Sequence, residues 1–214
     1  MSVSNSPQIS ELSLPGAPSL WEAIGFAVVG ASFVLGEVTC RLGATEPGWG
    51  FAGADSVPSE ICGIPAKGAE PPPLSSATSR HANGAFKIDH VVLVSQSPTK
   101  TKDELEAFGL VSKGARVLGS GSSRRATVFF WSGELLIELV GPADEVPEAT
   151  SLAQLWGVTF VADDFDRLAA IAGGLVSPPR DAVQPGRQIV TIDGSADLGV
   201  AVAFITPHVK AGQR

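Results

Sequence analysis

The sequence predicts an α+β protein: two tandem βαβββ modules behind a small β-rich N-terminal appendage. Three observations predict it. Residues 88–142, running from IDHVVLV through GLVS to ELLIELVGP, recur as 155–207, from LWGVTFV through GLVS to VAVAFITP. Within each copy, runs of strand length bracket one stretch with helical spacing of its apolar residues. A stretch carrying Pro65, Pro71, Pro72 and Pro73 and a Ser/Ala/Thr run sets these copies apart from what precedes them.

In chain order, residues 1–62 form the appendage, 63–86 the connector, 87–142 the first module and 150–208 the second. Residues 1–16 are polar and read as loose. Trp21, Ile24 and Gly25 suggest a turn or two of helix, and 26–29 and 33–42 short strands. WEAIGF and VLGEVTCRLG can be laid on LEAFGL and FWSGELLIELVG of the first module, with Gly36-Glu37 over Gly133-Glu134, which suggests a degenerate further copy. The proline-rich composition of 63–86 favours an extended connector. In the first module a strand is expected at 87–95. A helix capped by Thr101 and Glu104 follows, with Leu105 and Phe108 inward and Gly109 as its stop. Strands at 111–118, 126–131 and 134–141 complete it, the last two joined at Ser132-Gly133. The second module repeats the plan: a strand at 155–162, a helix capped by Asp163 or Asp164 with Leu168 and Ile171 inward, a stop at Gly173-Gly174, and strands at 187–193 and 198–206.

Composition narrows the classes of function. Hydrophobic residues make up 44% and charged residues 17% of the 214, as in an ordinary globular protein. Net charge is −7, and residues 1–66 hold six acids against Arg41 alone. No basic stripe is present to neutralise phosphates, so nucleic acid is not an expected partner. The apolar stretch 24–35 is interrupted by Gly25 and Gly30 and is too short to cross a bilayer. No basic residue precedes it, so a membrane is not an expected partner and the expected location is cytoplasmic. Cys40 and Cys62 are expected as buried thiols.

The two copies differ where chemistry is concentrated. In 134–140 the odd positions Leu135, Ile137 and Leu139 are apolar and should pack under the helix, leaving Glu138 on the opposite face between Leu136 and Val140. A lone carboxylate there is costly unless paired, protonated or metal-bound. His90 shares its parity with Ile88, Val92 and Val94. Imidazole plus carboxylate suits Zn, Fe, Mn or Ni, or a simple hydrogen-bonded pair. The second copy places Gly157 over His90 and Ala203 over Glu138, so it lacks this half-site. Further ligands could come from His81, His208 or Gln184. In the loop SPPRDAVQPGR, Arg180 and Arg187 could clamp a carboxylate, with Gln184 beside them. Trp131 and Trp156 could wall an aromatic pocket. GSGSS at 119–123 lacks the residues of a phosphate cradle and reads as a hairpin loop.

The segments IDHVVLV, GELLIELVGP and LWGVTFVADDFD resemble the vicinal oxygen chelate superfamily, which includes glyoxalase I, extradiol dioxygenases and bleomycin-resistance proteins. SPPRDAVQPGRQIVTI and VAFITP are similar to the second module of glyoxalase-like proteins. The likeness covers roughly 88–207. It implies a curled mixed sheet around a shared cavity, with metal ligands, where used, on the first and last strands of each module. His90 and Glu138 match that pattern; Gly157 and Ala203 depart from it. Two readings stay open. One is a small-molecule enzyme, a lyase/isomerase or dioxygenase, with catalytic Glu138 and His90, one divalent metal or none, and substrate contacts from Trp131, Trp156, Arg180, Gln184 and Arg187. The other is a metal-free protein that binds a drug or metabolite. The expected partners are a small molecule and, in a homodimer, a second copy of the chain.

Overall fold

The computed structural model describes residues 6–72 and 81–208. The chain is α+β, with two mixed β-sheets and no closed barrel among these residues. It divides into two compact units, each drawn from three separate stretches. The first comprises Met1–Ser13, Pro47–Pro71 and His90–Trp156, and the second Leu14–Glu46, Pro72–Asp89 and Gly157–Arg214.

The first unit holds the first module. Strand β7 (Ala85–Ser95), which enters this unit at His90, leads to helix α2 (Pro98–Ala107), then β8 (Val111–Leu118), β9 (Arg125–Ser132) and β10 (Leu135–Pro142). β10 returns to lie parallel to β7, and β9 and β8 follow antiparallel. Leu135, Ile137 and Leu139 are buried, as are Val91 and Leu93 of β7, so strand parity places the apolar face as expected. The helix start differs from expectation. Ser97 is the cap, accepting from the Lys100 N–H, and Pro98 follows it in the first turn. Thr101 lies inside the helix and donates to the Ser151 carbonyl, and the Glu104 carboxylate accepts the Cys62 N–H.

The polar N-terminus is not loose. Residues Gln8–Leu14 form strand β1, antiparallel to β4 (Gly48–Ala52). Its Ile9 and Leu12 are buried. The polar residues that disguised it are also satisfied: Ser10 donates to the Ala69 carbonyl, and Glu11 lies 2.6 Å from Lys67 Nζ. Nor is 63–86 wholly a connector. β6 (Ile64–Gly68) runs parallel to β4 and forms a hairpin with β5 (Glu60–Ile61). The Ser/Ala/Thr run at 73–80 lies outside the described residues. The β4–β6–β5 arrangement repeats the first–last–penultimate strand order of a module, without the helix. Phe51 of β4 packs edge-on against Phe108, the residue that ends α2, at 4.9 Å.

The second unit holds the second module. β11 (Ala153–Ala162), which enters at Gly157, precedes α3 (Phe165–Ala172), then β12 (Arg180–Asp181), β13 (Gln188–Thr191) and β14 (Ala201–Ile205). β14 is parallel to β11, and β13 and β12 follow antiparallel. Asp164 caps α3 through the Arg167 N–H. Leu168 and Ala172 are buried, whereas Ile171 is 38% exposed, against expectation. Helix α1 (Pro18–Ala23) and the hairpin β2 (Ser32–Leu35)–β3 (Val38–Leu42) complete the unit; 26–29 forms no strand. Leu35 faces Val38 across a two-residue turn that starts at Gly36, with φ +58°. The β9–β10 turn starts likewise at Gly133, with φ +65°. The two hairpins thus share their turn geometry.

Trp21, Phe26, Phe33, Phe160 and Phe204 form the aromatic core of this unit, with ring centroids 4.2–6.3 Å apart. His81 sits in that core. Its Nδ1 accepts from the Ala27 N–H at 3.0 Å, which leaves Nε2–H to donate to the Val34 carbonyl at 3.1 Å. Burial pulls its pKa below the ordinary value.

Candidate functional site on the first module

Parallel pairing of first and last strands sets the site. His90 faces Leu136, and Glu138 faces Val92 one pleat further along. In the second module Gly157 faces Ala201, and Ala203 faces Thr159. These are the matches expected from the sequence repeat, so the two modules share one register. On β9, Phe129 lies opposite Glu138 and Trp131 opposite Leu136. Paired residues share a face, so one surface of the first module carries His90, Val92, Leu136, Glu138, Val140, Phe129 and Trp131.

Glu138 is the centre of that surface. Its side chain is 20% exposed; Oε2 lies 3.8 Å from His90 Nε2, and Oε1 lies 3.4 Å from Arg116 Nη2. Arg116 comes from β8 and reaches across β9, its guanidinium carbon 5.0 Å from the Phe129 ring centroid. Cation and ring attract at that distance. Sequence reasoning missed Arg116. A β-bulge between Ser112 and Gly114 shifts the register of β8, so alternation could not assign its residues to faces.

The structure brings together His90, Glu138 and Trp131 among the expected site residues. Trp131 is 48% exposed, and Trp156 is also exposed. Arg180, Gln184 and Arg187 belong to the second unit. Arg180 is exposed on β12, and Gln184 is half-buried in a turn closed by the Arg187 N–H. Arg187 is 2% exposed and committed: Nη2 donates to Asp89 and Nε to the Thr206 carbonyl, both at 2.6 Å, with His208 Nε2 3.2 Å from Nη1. It ties strands together, and a ligand carboxylate would have to displace Asp89 to reach it. His81 is likewise held within the core of the second unit.

These donors do not fit a divalent metal. His90 and Glu138 are two, and among the described residues no three of His, Cys, Asp and Glu gather as a ligand set. The second carboxylate oxygen already faces the Arg116 cation, whose charge opposes that of an incoming ion. In the second module the place of His90 is closed: a Cβ on Gly157 would lie 2.9 Å from the Ala201 carbonyl oxygen. Neither cysteine offers a reactive thiol. Both are buried, and burial, reinforced by Glu104, pushes Cys62 up to about 12.

No protein-family model and no curated protein matches the sequence. Solved structures do match. A xylose isomerase-like TIM barrel/4-hydroxyphenylpyruvate dioxygenase fusion protein aligns over 99% of this chain at 12% identity, with a TM-score of 0.58. The chain has the vicinal oxygen chelate fold. It spans 50% of that fusion protein's length. Methylmalonyl-CoA epimerase from Mycobacterium tuberculosis aligns over 63% of this chain and 96% of its own at 15% identity, with a TM-score of 0.46. A mutant of 4-hydroxymandelate synthase from Streptomyces coelicolor aligns over 96% and 72% at 14%, also at 0.46. These neighbours are enzymes of the vicinal oxygen chelate superfamily, and identities this low establish fold alone. No helix among the described residues is long and apolar enough to cross a membrane.

Proposed function

We propose that this vicinal oxygen chelate chain is a metal-independent small-molecule enzyme that moves a proton on a carbonyl-bearing ligand held against the first module. The supporting observation is Glu138, a carboxylate in an apolar strand row with His90 Nε2 3.8 Å away. Glu138 takes a proton from carbon next to the carbonyl: the C–H bond breaks, an O–H bond forms on the carboxylate, and the electron pair moves onto the carbonyl oxygen. His90 is the second proton carrier, so the pair can remove and return a proton at different positions, which is isomerase or epimerase chemistry. Leu136, Val140, Phe129 and Trp131 supply apolar contact for the ligand body.

The test is hydrogen exchange into small carbonyl compounds in D2O, followed by NMR with chelator-treated protein. Exchange should survive chelation and fall by about 100-fold or more in Glu138→Gln. Exchange that needs added metal, or that persists undiminished in Glu138→Gln, overturns the proposal. The ion pair to Arg116 favours a second reading, in which the carboxylate is tied up and the chain only binds. Ligands that raise the melting temperature without any exchange would select it.

A further inference from the structure

We propose that Arg116 recognises a ligand carboxylate by exchanging partners: the incoming anion replaces Glu138 on the guanidinium and so releases Glu138. This rests on the small-molecule face assigned above, and not on proton transfer. The first observation is that the pair is loose. Arg116 Nη2 to Glu138 Oε1 is 3.4 Å, whereas Lys67–Glu11 and Arg187–Asp89 in the same chain close to 2.6 Å. Charge-assisted bonds ordinarily lie near 2.7–2.9 Å.

The second observation is that the guanidinium edge is half used. Arg116 Nε is buried and has no hydrogen-bond partner among the described residues. Nε–H and one Nη2–H point the same way from the planar group, which is the side-on edge that a carboxylate engages with both oxygens. Glu138 reaches that edge at one atom only. A free carboxylate is not anchored to a strand and can meet both.

The surroundings define the rest of the ligand. Phe129 lies beneath the guanidinium, and Leu136 and the exposed Trp131 continue the same face. On β8 the residue opposite Phe129 is Gly114, where an added Cβ would meet no atom within 4 Å. A monoanion with an aryl or alkyl body fits, because it brings the least negative charge near the displaced Glu138, which stays on the same face. A phosphate dianion brings a second charge that only Glu138 faces.

The probes are phenylacetate, 3-phenylpropionate, phenylacetamide and phenyl phosphate, titrated into the full chain by calorimetry and by the Arg116 Nε resonance. Phenylacetate or phenylpropionate should bind and shift that resonance, at concentrations up to about 10 mM where fragment-sized ligands register. The neutral amide should not, and phenyl phosphate should bind more weakly. Arg116→Gln should weaken binding at least tenfold, and Arg116→Lys less, with circular dichroism confirming that both fold. Glu138→Gln, which removes the competing carboxylate, should tighten binding by threefold or more. Failure of both carboxylates to bind, equal affinity in Arg116→Gln, or weaker binding in Glu138→Gln overturns the proposal. Hydrogen exchange without anion binding would sink this inference alone; anion binding without exchange would sink only the proton-transfer reading.

Discussion

Replacing His81 with leucine should make the stability of this chain less sensitive to acid. The wild-type ring is neutral in the folded state, because Nδ1 accepts from the Ala27 N–H while Nε2–H donates to Val34, and burial among Phe26 and Phe33 disfavours a charge. Losing both bonds costs about 1–2 kcal/mol, at the low end because Ala27 is exposed and its N–H can turn to water. The folded pKa lies below the ordinary 6.5, so the unfolded chain takes up the proton first. The contribution of neutral His81 is therefore complete above pH 6.5 and is lost as pH falls through the folded value. Stability drops by up to about 1.4 kcal/mol per pH unit in that window. Urea unfolding of both proteins at steps from pH 8 to pH 5.5 measures the gap between them. Carboxylate titrations common to both cancel in the difference. Leucine should be the less stable at pH 8, with the gap narrowing steadily as pH falls below 6.5. A gap that stays constant, or widens in acid, refutes the reasoning.

Three further outcomes are expected. Arg187→Met, which removes the buried guanidinium from the partly buried Asp89, should cost about 1–3 kcal/mol in urea melts, and adding Asp89→Leu should recover part of it. Cys62, raised to about 12, should resist iodoacetamide at pH 8 and react only once the chain is unfolded; labelling of the folded protein contradicts this. Gly157→Ala should destabilise by about 1–3 kcal/mol, because its Cβ meets the Ala201 carbonyl oxygen at 2.9 Å, whereas Gly174→Ala, with nothing within 4 Å, should change stability little.

The tandem modules were legible because a repeat carries its own internal check. The repeat places Gly157 over His90 and Ala203 over Glu138, and the pairings of β7–β10 and β11–β14 keep those positions equivalent. His90 and Glu138 followed from alternation in regular strands. What stayed hidden depends on long-range partners. β1 reads as polar until Ala69 and Lys67, nearly sixty residues away, satisfy Ser10 and Glu11. Arg116 sits beyond a bulge in a mostly exposed strand. Arg187 resembles a loop arginine until Asp89 and Thr206 close around it. A side chain's spare hydrogen-bonding capacity is a property of its neighbours in space, and no periodicity reports it.

The threading of each unit from three stretches limits how this chain can be shortened. Trimming to the two complete repeats would strip Phe108 of Phe51, and would leave Phe160 and Phe204 without Trp21, Phe26 and Phe33. Such a fragment would present large bare aromatic surfaces and should clump on expression. The leading segment is therefore part of the core of both units, and any shortened form of this chain has to keep it.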